Sequence, residues 1–343
     1  MKEKNAMNDL QAKAVLSRRD LLKHASLAAA VFAGGKTVPA MASPAALPEG
    51  KRRRVLRVAH LTDIHLTTTR NAPHWLNTCL HHAQDQQKAD LILNTGDTIF
   101  DASRTEEGPV RKMWELSQKI WKDECSVPAE HAIGNHDIWG FDKGRSKTSG
   151  NEPLYGKKWV MSIYGWEKPY RSFDRAGWHF IALDSVIPKE DSPIGFIGQL
   201  DEEQFSWLSA DLARVNPATP VLIFSHMPFF SAAAHFWDRG PKGRIEQTGS
   251  WQVSAGHMHI DARRIKNLLV KHPNVRLCLS GHLHMVERIT YLGVTFLCNG
   301  AVCGGWWNGR HQEFDPGYGL IDLYADGSFE HQYVTYGWEK KEG

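Results

Sequence analysis

The sequence lacks the features that define several large classes of protein. Its 343 residues include only five cysteines at irregular spacing and no Cys-x-x-Cys pair, so neither a disulfide-stapled scaffold nor a thiolate zinc site is expected. The residues after position 42 carry a net charge of −1 and a single basic run, Lys51–Arg54, which argues against a nucleic acid polymer as partner. A composition of 42% hydrophobic and 23% charged residues excludes collagen, coiled coil and wholesale disorder.

Histidine is the residue that stands out by number. The chain has 18 histidines, and imidazole is both the commonest metal ligand in proteins and the side chain that titrates near neutral pH. The positions of these histidines relative to the predicted strands and helices therefore indicate whether the chain carries a metal or catalytic site.

The amino-terminal residues predict an export signal. Ser17–Lys23 contains paired arginines followed by leucines, His24–Gly35 is uncharged, and Ala40–Ala42 is a small-x-small triplet suited to signal peptidase. This arrangement resembles a twin-arginine (Tat) signal, with Leu21 where phenylalanine is commonest. The uncharged run of twelve residues is shorter than the roughly 20 that a membrane-spanning helix needs, so no permanent anchor is expected. The alternative is an amphipathic amino-terminal helix.

This resemblance implies a domain organisation and a location. We expect residues 1–42 to be a Tat signal peptide, residues 43–54 a linker, and residues 55–343 one folded domain. A Tat signal implies the Tat translocase as a partner during export, and a periplasmic or secreted protein. It also implies that the chain folds before it crosses the membrane, which is typical of proteins that need a cofactor inserted first.

The hydrophobic pattern of the body predicts a mixed α/β fold. An apolar run over Val55–Leu61, helical spacing over Ala72–Lys88 and a second apolar run over Leu91–Asn94 predict a βαβ unit. Similar units follow, and hairpin signals appear near the carboxyl end at Leu292-Gly293 and Asp326-Gly327. This order predicts two mixed sheets packed face to face with helices outside. The other main predictions are strands over Ala129–Ile133, Val221–Phe224, Val275–Leu279 and Val294–Cys298, and helices over Val110–Lys122, from Asp201 with Gln204 as a capping box, and over Ile260–Val270.

Five polar motifs each follow directly on a predicted strand. Because ligands bind at the carboxyl ends of strands in open α/β sheets, these motifs are expected to converge on one edge. They supply oxygen and nitrogen donors and no sulfur, which suits Mn, Fe, Zn or Co. A lone histidine at a strand end is more often structural, so the indication comes from all five motifs in this order. They are Asp63-Ile64-His65, Gly96-Asp97, Gly134-Asn135-His136-Asp137, His226 and Gly281-His282-Leu283-His284.

The five motifs, which span residues 63–284, resemble the calcineurin-like metallophosphoesterase superfamily. They are most similar to the branch that includes class III cyclic-nucleotide phosphodiesterases. The resemblance implies a four-layer α/β/β/α sandwich and two divalent transition-metal ions. It assigns Asp63, His65 and His284 to one ion, Asn135, His226 and His282 to the other, and Asp97 to both.

The same resemblance assigns roles around the ions. His136 would not bind metal but would face the substrate and assist the leaving oxygen, with Asp137 orienting its ring. Purple acid phosphatases have tyrosine three residues after the bridging aspartate, and Phe100 stands there in this chain, so no tyrosinate-to-iron chromophore is expected. Two divalent ions carry four positive charges and Asp63 and Asp97 return only two, which leaves positive charge for a phosphate.

A glycine-rich segment, Asn299–Arg310, follows the predicted strand Val294–Cys298 and is expected to lie beside the metals. Trp306 and Trp307 would stack on a nucleobase or sugar there, and Arg310 would contact the substrate. Packing of the two indoles on the edge of the sandwich is an equally good interpretation, because tryptophan is usually buried.

We therefore expect an exported phosphatase or phosphodiesterase that hydrolyses small phosphate mono- or diesters by attack of a metal-bridging hydroxide, with His136 assisting the leaving group. The alternative is a catalytically inactive metal- or protein-binding module on the same fold. The complete ligand set and the presence of His136 favour the enzyme. The sequence leaves open the natural substrate, the preference for monoester or diester, the metal, the oligomeric state and any disulfide.

Overall fold

A computed structural model describes residues 52–189, 192, 194–237 and 253–339 of the chain. The predicted signal peptide, 1–42, and residues 43–51 of the predicted linker lie outside the described residues. The first strand begins at Arg54, the last residue assigned to the linker. All five cysteines are free thiols. Among the described helices, none has the length and apolar character needed to cross a membrane.

The described elements follow the predicted alternation of strands and helices. The strands are β1 (Arg54–Leu61), β2 (Leu91–Asn94), β3 (Ala129–His131), β4 (Arg171–Arg175), β5 (Trp178–Ala182), β6 (Val186–Pro188), β7 (Phe196–Gly198), β8 (Val221–Phe224), β9 (Val275–Ser280), β10 (Glu287–Tyr291), β11 (Val294–Cys298), β12 (Gly317–Tyr324) and β13 (Phe329–Thr335). The α-helices are α1 (Ala72–His81), α2 (Glu107–Glu124), α3 (Lys143–Ser146), α4 (Lys158–Tyr164), α5 (Glu202–Arg214) and α6 (Ala262–Leu269).

The strands form two large mixed sheets and one small hairpin. The first sheet has the order β13-β12-β1-β2-β3, in which β1, β2 and β3 run parallel. The second has the order β10-β11-β9-β8-β5-β4, in which β11, β9, β8 and β5 run parallel. Antiparallel strands close both edges of the second sheet and one edge of the first. The parallel strands therefore present the carboxyl ends that the sequence motifs follow.

Three hydrophobic clusters divide the domain into four layers. Side chains of both sheets, among them Val58, Leu93, Phe180 and Leu222, form the cluster between the sheets. A second cluster packs α1 and α2 on the outer face of the first sheet, and a third packs α5 and α6 on the outer face of the second. This confirms the predicted α/β/β/α sandwich, because each sheet buries one face on its partner and the other on helices.

The predicted elements differ from the structure where local contacts outweigh the pattern. The first predicted helix ends as an α-helix at His81 and continues as a π-helical turn over His82–Gln86. Asp201 caps α5 by accepting from the backbone N–H of Gln204, but the Gln204 amide bonds to the backbone of Asp184 rather than returning to the cap. The capping-box prediction was therefore half wrong. The short β6-β7 hairpin and helices α3 and α4 were not predicted, because each is too short to show a period.

His179, on β5, joins β4 to α5 through two carboxylates. Its Nδ1 lies 2.7 Å from Asp174 Oδ1 and its Nε2 lies 2.9 Å from Asp211 Oδ2. Burial lowers the pKa of His179, but the two carboxylates outweigh burial and raise the pKa above its usual value. Both ring nitrogens donate only in the imidazolium, so this link is strongest when His179 is protonated.

We predict that His179→Gln lowers the free energy of unfolding by about 1 kcal/mol at pH 6 and by less at pH 9. A raised folded-state pKa gives stability that is fully present below the unfolded value of 6.5 and is lost as the pH rises through the folded value. Urea unfolding of both proteins at the two pH values measures the difference. His74→Gln, an exposed position on α1, is the matched control. A difference that stays constant or grows between pH 6 and pH 9 would contradict this account.

Candidate metal centre

The predicted site residues lie in loops at the carboxyl ends of parallel strands from both sheets. The loops after β1, β2 and β3 come from the first sheet, and those after β8, β9 and β11 come from the second. The loops are bonded to one another: Asp63 N donates to Gly96 O at 3.1 Å, and His65 N donates to Asp97 O at 2.8 Å. His282 N donates to Asp63 Oδ2 at 2.8 Å, which ties the two sheets together at this edge.

The glycines of the motifs permit this close approach. A Cβ atom at Gly134 would collide with the backbone N and side chain of Asp97, and one at Gly281 would collide with the Thr62 hydroxyl. Both collisions involve atoms that are themselves held by the site, so a larger residue would separate the loops. The glycine in each motif is thus a packing requirement of the site.

Five of the seven predicted ligands have a left-handed backbone. Such a conformation costs a non-glycine residue about 1–3 kcal/mol and is found mostly at functional sites. The loops bend sharply at each strand end and turn alternate side chains inward. These five are Asp63 (φ 51°), His65 (φ 47°), Asp97 (φ 51°), His282 (φ 70°) and His284 (φ 53°).

The first set of converging donors, which we call group A, consists of Asp63, His65 and His284. The Nε2 atoms of His65 and His284 are 3.2 Å apart. Asp63 Oδ1 is 3.4 Å from His284 Nε2 and 3.9 Å from His65 Nε2. All three side chains are 0–3% exposed.

The second set, group B, consists of Asn135, His226 and His282. His226 Nε2 is 3.0 Å from Asn135 Oδ1 and 3.1 Å from His282 Nδ1. One oxygen of Asp97, Oδ2, is 3.3 Å from His226 Nε2 and 3.6 Å from His65 Nε2. The same carboxylate oxygen therefore faces both groups, in the arrangement that the sequence resemblance implies.

Each of the four histidines turns its other ring nitrogen to a backbone carbonyl. His65 Nδ1 faces Phe100 O, His226 Nδ1 faces Thr95 O, His282 Nε2 faces Gly256 O and His284 Nδ1 faces Gly304 O, at 2.6–3.2 Å. A carbonyl can only accept, so each of these nitrogens carries the proton. Holding a histidine by its outer nitrogen fixes the tautomer that presents a lone pair to a metal ion.

The two carboxylates of the centre change the pKa values of the neighbouring histidines in different ways. Burial lowers the pKa of His65 and of His282 to about 3, so both rings are neutral. Burial also opposes a charge on His226, but Asp97 outweighs it and raises the pKa of His226 to about 9. In the same way Asp63 raises the pKa of His284 well above its usual value. Each of the two carboxylates thus favours positive charge beside it.

The donor atoms fit divalent metal ions. Asp63 Oδ1 is buried and makes no hydrogen bond, although His284 Nε2 lies 3.4 Å away, while its Oδ2 accepts from Thr62 and His282. A buried carboxylate oxygen without a partner is costly unless an ion neutralises it. Imidazole nitrogen, amide oxygen and carboxylate oxygen are the donors that Mn, Fe, Zn and Co accept.

His136 lies at the edge of the centre beside group A. One of its ring nitrogens, one of His65 and an oxygen of Asp97 lie within 4.8 Å of one another. Its side chain is 15% exposed, so it is more accessible than group A. Its Nδ1 lies 3.4 Å from Asp101 Oδ1. Burial lowers the pKa of His136, but Asp97 and Asp101 together raise the pKa above its usual value.

The expected role of Asp137 was wrong. Its Oδ1 accepts from the backbone N–H groups of Thr98 and Ile99, and its Oδ2 accepts from Gly134 N at 2.9 Å. The carboxylate therefore clamps the loops after β2 and β3 and does not orient the His136 ring. Asp101 is the carboxylate beside that ring, and sequence reasoning missed it. Its signal was an aspartate four residues after Asp97, on the same loop.

The three predicted substrate contacts separate in the structure. Trp306 is half-buried, and its ring centroid lies 3.8 Å from that of His65 and 5.0 Å from that of His136. Trp307 is buried in the core and donates from Nε1 to His65 O, which holds the backbone of the loop after β1. This buried position does not fit the expectation that Trp307 stacks on a substrate. Arg310 is exposed and pairs with Asp315 at 2.9 Å.

Comparisons with known proteins agree with this geometry. Residues 56–286 match the family model described as calcineurin-like phosphoesterase. A protein named a probable cyclic nucleotide phosphodiesterase, from Synechococcus, is 26% identical over 291 residues, which cover 81% of this chain and 91% of its own. A 3',5'-cyclic-nucleotide phosphodiesterase from Nostoc is 23% identical over 80% of this chain and 90% of its own.

A solved structure shows the same fold. The dimetal phosphatase from Danio rerio superposes with a TM-score of 0.52 at 16% identity, covering 83% of this chain and all of its own. The family match covers strands of both sheets and all five motifs of the centre. The chain therefore belongs to the calcineurin-like phosphoesterase family, and it is a hydrolase of phosphoric esters.

Proposed function

We propose that this chain is an exported phosphoesterase with two divalent metal ions, and that phosphodiesters, cyclic nucleotides among them, are its substrates. One observation carries the proposal: Asp97 Oδ2 faces His65 of group A and His226 of group B at 3.6 and 3.3 Å. A single shared oxygen between two sets of donors suits a pair of ions. The relatives named for cyclic nucleotides, which align over about four-fifths of this chain, support the diester preference.

The residues of the centre prepare it for an anionic ester. Groups A and B would hold the ions, and bound ions would supply Lewis-acid activation of the phosphate and of a water molecule. Asp63 and Asp97 are the carboxylates facing the ions, so the loaded centre keeps net positive charge for the substrate. The bonds between the loops hold the donors in place before the ester arrives.

His136 is the residue placed to assist the leaving group. Its ring lies beside group A without being needed to complete it, and it is more exposed than the ligands. Asp101 Oδ1 lies 3.4 Å from Nδ1 of the ring and faces it as an ion-pair partner, so Nε2 is the nitrogen available to donate to the departing oxygen. Trp306 packs against the ring of His136 and would form the adjacent wall of the substrate site.

Export rests on the sequence alone. The paired arginines Arg18 and Arg19, the uncharged stretch after them and Ala40–Ala42 support export by the Tat route into the periplasm or medium. Retention of the protein in the cytoplasm of cells with a working Tat pathway would contradict this part of the proposal.

We predict metal-dependent hydrolysis that needs His136. The full-length protein, reconstituted separately with Mn, Fe, Zn and Co, should hydrolyse a chromogenic phosphodiester and cyclic AMP faster than the matching phosphomonoester. His136→Ala should bind the same amount of metal and lose about 10²–10⁴-fold in kcat, because general acid catalysis contributes that much. Metal content and steady-state kinetics on the same samples measure both effects.

The control for this prediction is His74→Ala, which removes an exposed histidine of α1 that is absent from the converging groups of the described residues. Unchanged turnover of metal-loaded His136→Ala would overturn the role of His136. Absence of turnover with two ions bound would overturn the catalytic role and favour the metal- or protein-binding module. Preference for the monoester would overturn the substrate class.

We further predict that Asp101→Asn lowers kcat about tenfold and leaves KM and metal content unchanged. The neutral amide would no longer stabilise a charge on the His136 ring, and a tenfold loss in kcat corresponds to about 1.4 kcal/mol of this stabilisation. Asp101 acts through His136, so Asp101→Asn should have no further effect in a His136→Ala background.

The matched control is Asp142→Asn, which removes a carboxylate that caps α3 and lies near Ser103 in the same surface region. A change in KM or in bound metal for Asp101→Asn would show that Asp101 supports the fold of the centre and does not position His136. Additive losses in the double variant would contradict the link between the two residues.

A further inference from the structure

A buried cysteine lies next to group A. The loop after β11 passes under the centre: Val302 N donates to Thr62 O at 3.0 Å, and Cys303 N donates to Asp63 O at 3.3 Å. The next residue, Gly304, accepts from His284 Nδ1 at 2.6 Å. Cys303 is 0% exposed. The backbone bonds of Cys303 and Gly304 hold this loop against Asp63 and His284, two residues of group A.

The sulfur of Cys303 converges with the ring nitrogens of group A. Ligand atoms of His65, His284 and Cys303 all lie within 4.8 Å of one another. Atoms bound to one ion at about 2.0–2.3 Å lie at most about 4.5 Å apart, so the spread is close to that of a common ligand shell. The thiol lies beside the His284 ring and donates weakly to Gly304 O at 3.5 Å.

A second observation points to a ligand at this place. Asp63 Oδ1, which belongs to group A, is buried and makes no hydrogen bond, with His284 Nε2 3.4 Å away. An ion placed between Asp63, His65 and His284 would neutralise this oxygen, and the Cys303 sulfur is a further donor that converges with His65 and His284. The sequence motifs supplied only oxygen and nitrogen donors, so this sulfur was not expected.

We propose that Cys303 is a thiolate ligand of the metal ion held by group A. The inference rests on the metal centre of the proposed function and adds a soft donor to it. When the ion binds, the S–H proton passes to water and the sulfur–metal bond forms, with no change of oxidation state. Three negative side chains, Asp63, Asp97 and Cys303, then face four positive charges, so the centre still attracts a phosphate. Sulfur favours Zn, Fe or Co over Mn at this position.

The test is the near-ultraviolet spectrum of the full-length protein loaded with cobalt(II). A thiolate bound to cobalt gives an intense sulfur-to-metal charge-transfer band, which oxygen and nitrogen ligands do not give. We expect this band in the wild-type protein and its complete loss in Cys303→Ser. The control is Cys298→Ser, because Cys298 is also buried at this edge and donates to Gly281 O at 3.1 Å, but is absent from the converging groups of the described residues.

The outcomes separate the inference from the proposed function. A wild-type protein that binds two cobalt ions and hydrolyses the diester without a charge-transfer band overturns the thiolate ligand and leaves the phosphoesterase intact. Persistence of the band in Cys303→Ser also overturns it. If Cys303→Ser does not fold, the wild-type spectrum and the Cys298→Ser spectrum still decide. Absence of bound cobalt in the wild-type protein overturns both proposals.

Discussion

One carboxylate oxygen sets the geometry of the whole carboxyl edge. Asp97 Oδ2 has to face two sets of donors, and each set takes residues from loops of both sheets, so the sheets must meet closely at this edge. The other oxygen of Asp97 accepts from His136 N at 2.7 Å, which aligns the third loop with the second. The face-to-face packing of the two sheets, the glycines in the loops and the left-handed turns all serve this arrangement.

Forming the centre costs folding free energy, and the packing of the rest of the domain offsets this cost. Five ligands adopt left-handed backbone conformations, each costing about 1–3 kcal/mol, and several buried charges face one another without solvent. The large apolar clusters on both faces of the two sheets hold these loops in place. Asp137 helps to hold the loops, because its oxygens accept hydrogen bonds from three backbone N–H groups. Its burial and the charge of Asp97 raise its pKa to about 7.

Prediction from the sequence succeeded where a residue's role follows from its position at a strand end. The strands Leu91–Asn94, Val221–Phe224 and Val294–Cys298 have the predicted bounds, and the motifs after the parallel strands converge as expected. Contacts between distant loops could not be read in this way. Three contacts depend on how the loops fold back onto one another, and the spacing of hydrophobic residues carries no information about that. They are the pairing of Asp101 with His136, the backbone bonds of Asp137 and the approach of Cys303 to His284. The two adjacent tryptophans show the same limit, since a single residue step turns Trp306 to the site and Trp307 to the core.

The central claim is that Asp97 joins two metal positions, and anomalous X-ray scattering tests it most directly. Crystals of the full-length protein grown with cobalt would be measured on both sides of the cobalt absorption edge. The account predicts two anomalous peaks about 3.5–4 Å apart, one beside group A and one beside group B, with Asp97 Oδ2 between them. A single peak, or two peaks that do not share Asp97, would contradict it.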